Sequence, residues 1–286
     1  MILPTSTPSL YATLADCQAR GEAAVLAIIV ATQGSTPQKI GAKMVVRADG
    51  PTVGTVGGGL LESRVKEVAQ DVLRSGQPKM LEVDLTTGEE GICGGRVSIY
   101  LEPVLPPPPL LILGAGHVGQ ALAALAAFVG FAVTLADTRE LQPAPALPGV
   151  RWHKLQDYHQ PFADVPRAAE GYIVIATASH HHDLEALRAT LRTPAKYIGL
   201  LGSNRKKSVF AQQLLAEGFA PEDLARIHAP VGLDLGAVTP AEIAVSIAAQ
   251  LIALRRNHAT THFSSAPCRR LLHPDGTAEG PAPSPR

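Results

Sequence analysis

Cysteine is scarce in this chain, with Cys17, Cys93 and Cys268 the three among 286 residues, and none forms a C-x-x-C pair. An odd, sparse set of thiols suits a reducing compartment better than a disulfide framework. Net charge is missing as well: 25 Lys and Arg balance 25 Asp and Glu, so no overall field draws the protein to nucleic acid or to an anionic membrane. Only a local site can attract an anion. Long apolar runs are absent too. The opening stretch MILPTSTPSLYATLADCQAR carries neither a basic leader nor an apolar run of signal length, and elsewhere the uncharged stretches are broken by glycine or fall short of a membrane span. A cytoplasmic protein is expected. No internal repeat is visible.

What is present is a hydrophobic content of 46% over a length that suffices for two ordinary cores. Residues 106–109 are four consecutive prolines, which read as a stiff spacer that is neither helix nor central strand. After Arg256 the apolar periodicity stops and Pro, Ser, Thr and Gly take over. The expected organisation is therefore an N-terminal domain over 1–103, a linker over 104–109, a second domain over 110–256 and a disordered tail over 257–286.

The first domain reads as a small α+β unit. A helix starts near Ser9, AAVLAIIVAT is a buried strand, and KMVVRADGPTVGTV is a hairpin around Asp49 and Gly50. GGGLLESRVKEVAQDVLRSG comes next as a glycine loop opening a helix that Gly76 and Pro78 close, and PKMLEVDL and RVSIYLEPV add two strands. GICGG lies between those strands and sets the thiol of Cys93 among glycines, which strip away side-chain cover and let a ligand approach the sulfur. Gly57, Gly58 and Gly59 form one glycine loop and Gly94 and Gly95 close the other. Gln33, Ser35 and Lys39 come after the first buried strand as groups able to hydrogen-bond a ligand, while Ser-Thr-Pro is also ordinary turn chemistry. Glu62, in the first turn of its helix, is read as a cap.

In the second domain strand and helix alternate: LLILG, HVGQALAALAAFVG, FAVTLAD, YIVIATAS, DLEALRATLR, KYIGLLGS, RKKSVFAQQLLAEG and PAEIAVSIAAQLIALRR. Such alternation predicts a Rossmann-like, doubly wound, mostly parallel sheet, so the fold class is α/β with a smaller α+β domain ahead of it. Gly114, Gly116 and Gly119 stand in G-x-G-x-x-G spacing between a strand and a helix, with Asp137 ending the next strand. Gly114 permits the tight turn, Gly116 lets a phosphate approach the helix N-terminus, Gly119 permits close packing, and Asp137 can accept from a ribose hydroxyl. A Rossmann scaffold with no ligand at its loop is the alternative. His180, His181 and His182 are adjacent and point in different directions, so Asp183 is read instead as a helix N-terminal charge. Ser203, Asn204, Arg205 and Lys206 open another helix, as an anion site or a solvated basic face. Asp234 is read as ordering its own loop.

The segments ATQGSTPQKIGAKMVV, VGTVGGGLLE, GICGG, LLILGAGHVG, YIGLLGSNRK and HAPVGLDLGAVTPAEIAVSI together resemble the XdhC/CoxI family of maturation factors for xanthine dehydrogenase and related molybdenum hydroxylases. The resemblance runs from about residue 10 to residue 256, and departs at ATASHHHD, where many relatives carry Arg-Gly before the histidine that His180 matches. It implies a non-enzymatic, usually dimeric chaperone that binds the molybdenum cofactor (molybdopterin) as cargo. The chaperone would hold it while a cysteine desulfurase replaces an oxo ligand with sulfide, and deliver it to the xanthine dehydrogenase apo-enzyme. A thiolate suits the soft, sulfur-ligated metal, so Cys93 is expected to face the molybdenum, as a labile ligand or as a neighbour. The competing reading is an NAD(P)-dependent oxidoreductase or a dinucleotide-sensing module.

Overall fold

The computed structural model describes residues 9–85, 94–140 and 146–258. Cys93, Cys268 and nearly all of the expected tail lie outside the described residues. The chain divides into two compact units, Met1–Pro107 and Pro108–Arg286.

In the first unit α1 (Leu10–Arg20) leads to β1 (Ala24–Gly34), β2 (Lys43–Arg47), β3 (Thr52–Gly54), α2 (Gly59–Ser75), β4 (Lys79–Asp84) and β5 (Gly95–Val104). Ser9 caps α1 by accepting from the Ala12 amide at 3.1 Å. The sheet is antiparallel in the order β3-β2-β1-β5-β4, with β2 and β3 joined at the turn containing Asp49 and Gly50. Period-two alternation along β1 sends Val25, Ala27 and Ile29 into one core with α2 and Ala24 and Leu26 into another with α1. Ile29, Met44, Ile99 and Leu101 are wholly buried there, each favouring the folded state by about 1.5–3 kcal/mol relative to exposure. Between Ile29 and Ala31 the pairing with β5 shifts, so Val30 is a bulge residue, after which the strand runs on to pair Gly34 with Gly95. A bulge bends its strand and re-aims the residues beyond it.

The second unit carries β6 (Pro109–Leu113), α3 (His117–Phe128), β7 (Ala132–Asp137), β8 (Val150–Lys154), a short 3₁₀ turn (Pro166–Glu170) and β9 (Tyr172–Ile175). It continues with α4 (His180–Leu191), β10 (Tyr197–Leu200), α5 (Asn204–Ala216), α6 (Pro221–Leu224), β11 (Ile227–His228) and α7 (Pro240–Arg255). Six parallel strands lie in the order β11-β10-β9-β6-β7-β8. Taken from the β8 edge, this is the doubly wound dinucleotide-fold order 3-2-1-4-5-6. Leu111 and Leu113 of β6 enter a core with α4 and α5, whereas Leu110 and Ile112 enter one with α3 and α7. Helices on both faces explain why β9 and β10 are buried at every position.

One sequence expectation is corrected here. Pro109, expected in the spacer and excluded from a central strand, is the first residue of β6, the strand between β7 and β9. The first position of a strand tolerates a residue without an N–H, and its neighbour Pro108 still accepts from the Ala132 amide at 3.0 Å.

Candidate functional site

At one end of the first unit's sheet, three segments far apart in sequence meet at glycines. A Cβ on Gly95 would lie 2.4 Å from the Ser35 carbonyl oxygen and 2.6 Å from that of Gln33, and one on Gly34 would lie 2.8 Å from that of Gly94. A Cβ on Gly57 would in turn stand 3.1 Å from the Pro37 ring. The turn after β1 is thus pressed against both glycine loops, which only residues without side chains permit. Around this junction Gln33, Ser35 and Gly94 are exposed, and among the described residues nothing beyond its chain neighbours stands within 4 Å of where a Cβ on Gly94 would lie. Cys93 precedes Gly94 in sequence and lies outside the described residues.

In the loop of Gly57, Gly58 and Gly59 two amides are committed to the chain's own side chains. The Gly58 amide donates to Glu62 Oε1 at 3.1 Å, the Thr55 hydroxyl donates to the same oxygen at 2.5 Å, and the Gly57 amide donates to Thr55 Oγ1 at 3.1 Å. Glu62 therefore caps α2, as its position in the sequence predicts, and fills the helix's positive end with the chain's own carboxylate. The Thr55 hydroxyl, together with the Gly58 and Val56 amides, outweighs partial burial and holds the Glu62 carboxyl below its usual range. A depressed folded-state value means that this stabilisation is complete above the unfolded carboxyl pKa of about 4.3 and fades as pH falls through the folded value. Glu62→Gln is expected to flatten the acid limb of the first unit's stability profile between about pH 5 and pH 3. Acid denaturation monitored by circular dichroism checks this, and identical limbs in both proteins would contradict it.

The second unit gathers its groups at the carboxyl edge of the sheet, where β6 and β9 are neighbours and the strand order reverses. Gly114 has φ +116°, and a Cβ there would lie 2.1 Å from the Ala176 carbonyl oxygen beyond β9. One on Gly119 would lie 1.9 Å from the Gly114 carbonyl oxygen, while around Gly116 there is open space. The tight turn at Gly114 and the close helix packing at Gly119 are as the sequence predicts. Gly116 is the N-cap of α3 and supplies no side-chain cap, so the first-turn amides are left to carry the positive end of the helix.

Asp137 departs from its expected role. It is 1% exposed, and its two oxygens accept from the Ala115 amide (2.8 Å), the Arg139 amide (2.9 Å), Arg139 Nε (3.0 Å) and Arg139 Nη2 (2.7 Å). Burial pushes its carboxyl up, but the Arg139 guanidinium and the two amides outweigh that and hold it below the usual range. Its acceptors serve the glycine loop and Arg139 rather than an approaching hydroxyl.

Asp183 stands in the first turn of α4, as expected of a helix N-terminal charge, and is also a buried hub. It is 2% exposed, accepts from the Thr177 amide (3.1 Å) and hydroxyl (2.7 Å), and pairs with Lys206 Nζ, which also donates to the Leu201 carbonyl at 2.9 Å. The loops after β9 and β10 are tied together by this one carboxylate. Ser203 caps α5, and of the basic residues beside it Arg205 is exposed while Lys206 is turned inward. The histidines disperse: His180 packs edge-on to Phe210, His182 lies against Tyr158, and His181 and His159 both reach Glu185 Oε1, at 2.9 and 3.0 Å. In the HAPVGLDLG stretch, Gln250 Oε1 of α7 accepts from the Gly232 amide (2.8 Å) and the Tyr197 hydroxyl (2.6 Å), and Ser246 donates to the Leu233 carbonyl at 2.6 Å. Sequence reasoning does not identify Arg139, Thr177 or Lys206 as partners of these acids. The signal available for Arg139 is its place two residues beyond the strand-ending acid.

Comparison with known proteins matches two family models to these same units: "XdhC and CoxI family" over residues 17–84 and "XdhC Rossmann domain" over residues 110–251. The protein YqeB of Escherichia coli (strain K12) is 36% identical over 238 residues, covering 81% of this chain and 43% of its own length. A protein of Bacillus subtilis (strain 168) named as a probable xanthine dehydrogenase subunit is 32% identical over 161 residues, covering 56% of this chain and 46% of its own length. "Molybdenum cofactor insertion chaperone PaoD" of Escherichia coli (strain K12) is 25% identical over 270 residues, covering 82% of this chain and 84% of its own length. The chain thus spans less than half the length of the first two relatives. No helix among the described residues is long and apolar enough to cross a membrane. With one model on the glycine-junction unit and the other on the doubly wound unit, in the order the sequence motifs run, the chain belongs to the XdhC and CoxI family.

Proposed function

We propose that the chain is a molybdenum-cofactor chaperone whose cargo is held at the glycine junction of the first unit. The observation that carries this reading is the meeting of the Gln33 to Pro37 turn with Gly57 and with Gly94 and Gly95, in a chain whose relatives include a protein named as a molybdenum cofactor insertion chaperone. A pterin is flat and edged with hydrogen-bonding groups, and the side of the junction at Gly94, where no side chain stands on the backbone, admits a flat ligand close to it. Gln33 and Ser35 are exposed beside it and supply polar contacts to the pterin edge. Cys93 is assigned to the molybdenum end, because a thiolate is the protein group that matches a soft, dithiolene-bound metal.

In this reading the protein is an accessory factor in the cytoplasm rather than an enzyme. It keeps the cofactor from water while a cysteine desulfurase exchanges an oxo ligand for sulfide, then hands it to the apo-enzyme of xanthine dehydrogenase, and it works as a homodimer. The experiment is to incubate the full chain with molybdenum cofactor, separate it by gel filtration, and oxidise the protein peak with iodine to release the fluorescent pterin. Cys93→Ser is expected to retain less pterin than the wild type. Equal retention and equal activation of the target enzyme would remove Cys93 from the site.

A further inference from the structure

The fingerprint of the second unit has two halves that point to different ligands. The doubly wound fold implies a dinucleotide, and the glycine cradle fits one: Gly114 and Gly119 are closed to any side chain, while Gly116 stands open in front of the uncapped start of α3. The adenosine end does not fit NAD(H). The strand-ending acid that would accept the ribose 2′-hydroxyl is buried, with both oxygens taken by Ala115 and Arg139. What that position presents to solvent is the Arg139 side chain, 49% exposed, with Nε and Nη2 facing Asp137 and Nη1 outside the pair.

Other charges at this edge do not alter the balance. Lys154, paired with Asp137 in register on β8, has its Nζ 3.8 Å from Glu140 Oε2, so those two offset one another. Asp137 fixes the guanidinium plane from behind, and a planar guanidinium held in place is the side chain best suited to a phosphate. In dinucleotide folds an arginine here accommodates a 2′-phosphate, whereas a free acid accepts from a 2′-hydroxyl.

We propose that the second unit binds a dinucleotide whose adenosine carries a 2′-phosphate, NADP(H), in preference to NAD(H), and that Arg139, braced by Asp137, is the residue that discriminates. This goes beyond the chaperone reading and does not rest on it, since the two ligands are placed in different units. The test is fluorescence titration of the full-length chain, without molybdenum cofactor, with NADPH and with NADH. NADPH is expected to bind at least tenfold more tightly, and 2′,5′-ADP is expected to displace it at least tenfold better than 5′-AMP. Arg139→Gln should abolish most of the preference by weakening NADPH, with NADH bound no more weakly than by the wild type because the side-chain bonds to Asp137 are released, and Arg139→Lys should keep part of it. Equal affinities, tighter NADH binding, or no binding of either nucleotide to the wild-type chain would overturn the proposal. The competition between the two adenosine phosphates needs no variant, so a folding defect in Arg139→Gln does not blunt it.

Discussion

Asp183→Ala is expected to destabilise the second unit by about 3–5 kcal/mol, because removing one member of a buried ion pair strands the other. The stranded group is Lys206, whose side chain is 13% exposed and whose nearest remaining acceptor is the Leu201 carbonyl. The Thr177 amide and hydroxyl lose their acceptor at the same time. Removing both charges is a different matter: Asp183→Leu with Lys206→Met leaves no buried charge and should recover a substantial part of the loss. Urea unfolding monitored by tryptophan fluorescence reads this unit specifically, since the single tryptophan, Trp152, sits in β8. A loss below about 1 kcal/mol for Asp183→Ala would mean that the pair contributes no more than an exposed one. The consequence reaches the glycine fingerprint, because this carboxylate holds the loop beyond β9 against which Gly114 is packed.

The second large effect separates binding from folding at the glycine junction. Gly95→Ala drives a methyl into the carbonyl oxygens of Ser35 and Gln33; overpacking of this kind costs about 1–3 kcal/mol, and the turn must move away from β5. The Cβ of Gly94→Phe meets no described residue beyond its chain neighbours within 4 Å and begins from an exposed position, so stability should change by no more than about 0.5 kcal/mol. If the pterin occupies the junction, however, the ring of Gly94→Phe stands in its place, and retention of the cofactor should fall at least tenfold. Thermal unfolding and pterin retention measured on the same samples distinguish the two variants. Gly94→Phe with full stability and full retention would place the cargo elsewhere.

How much of this is legible in the sequence depends on whether the decisive contact is local. The strands of the second unit stand out because burial on both faces makes YIVI and LLIL continuous apolar runs. β8 and β11 do not, the first because an edge strand with a half-solvated face reads VRWHK, the second because it is two residues long. Gly114 and Gly119 keep their expected packing roles, since a tight turn and a close helix are properties of the loop itself. Asp137 ends its strand as the spacing requires, but spacing does not say which way a carboxylate turns, and Arg139 decides that. Asp183 stands in the first turn of α4, and nothing local ties it to a lysine on the next helix. In the first unit both glycine loops are visible. Their meeting is not, because it depends on an antiparallel register carried past the Val30 bulge to the Gly34–Gly95 pair.

The measurement that bears most directly on the central claim is the amount of fluorescent pterin released by iodine from the gel-filtered full-length chain after incubation with molybdenum cofactor. The account expects close to one pterin per chain in the wild type, at least tenfold less in Gly94→Phe, and an unchanged amount in Arg139→Gln, whose substitution lies in the other unit. Pterin absent from the wild-type peak, or retained equally by Gly94→Phe, would contradict it.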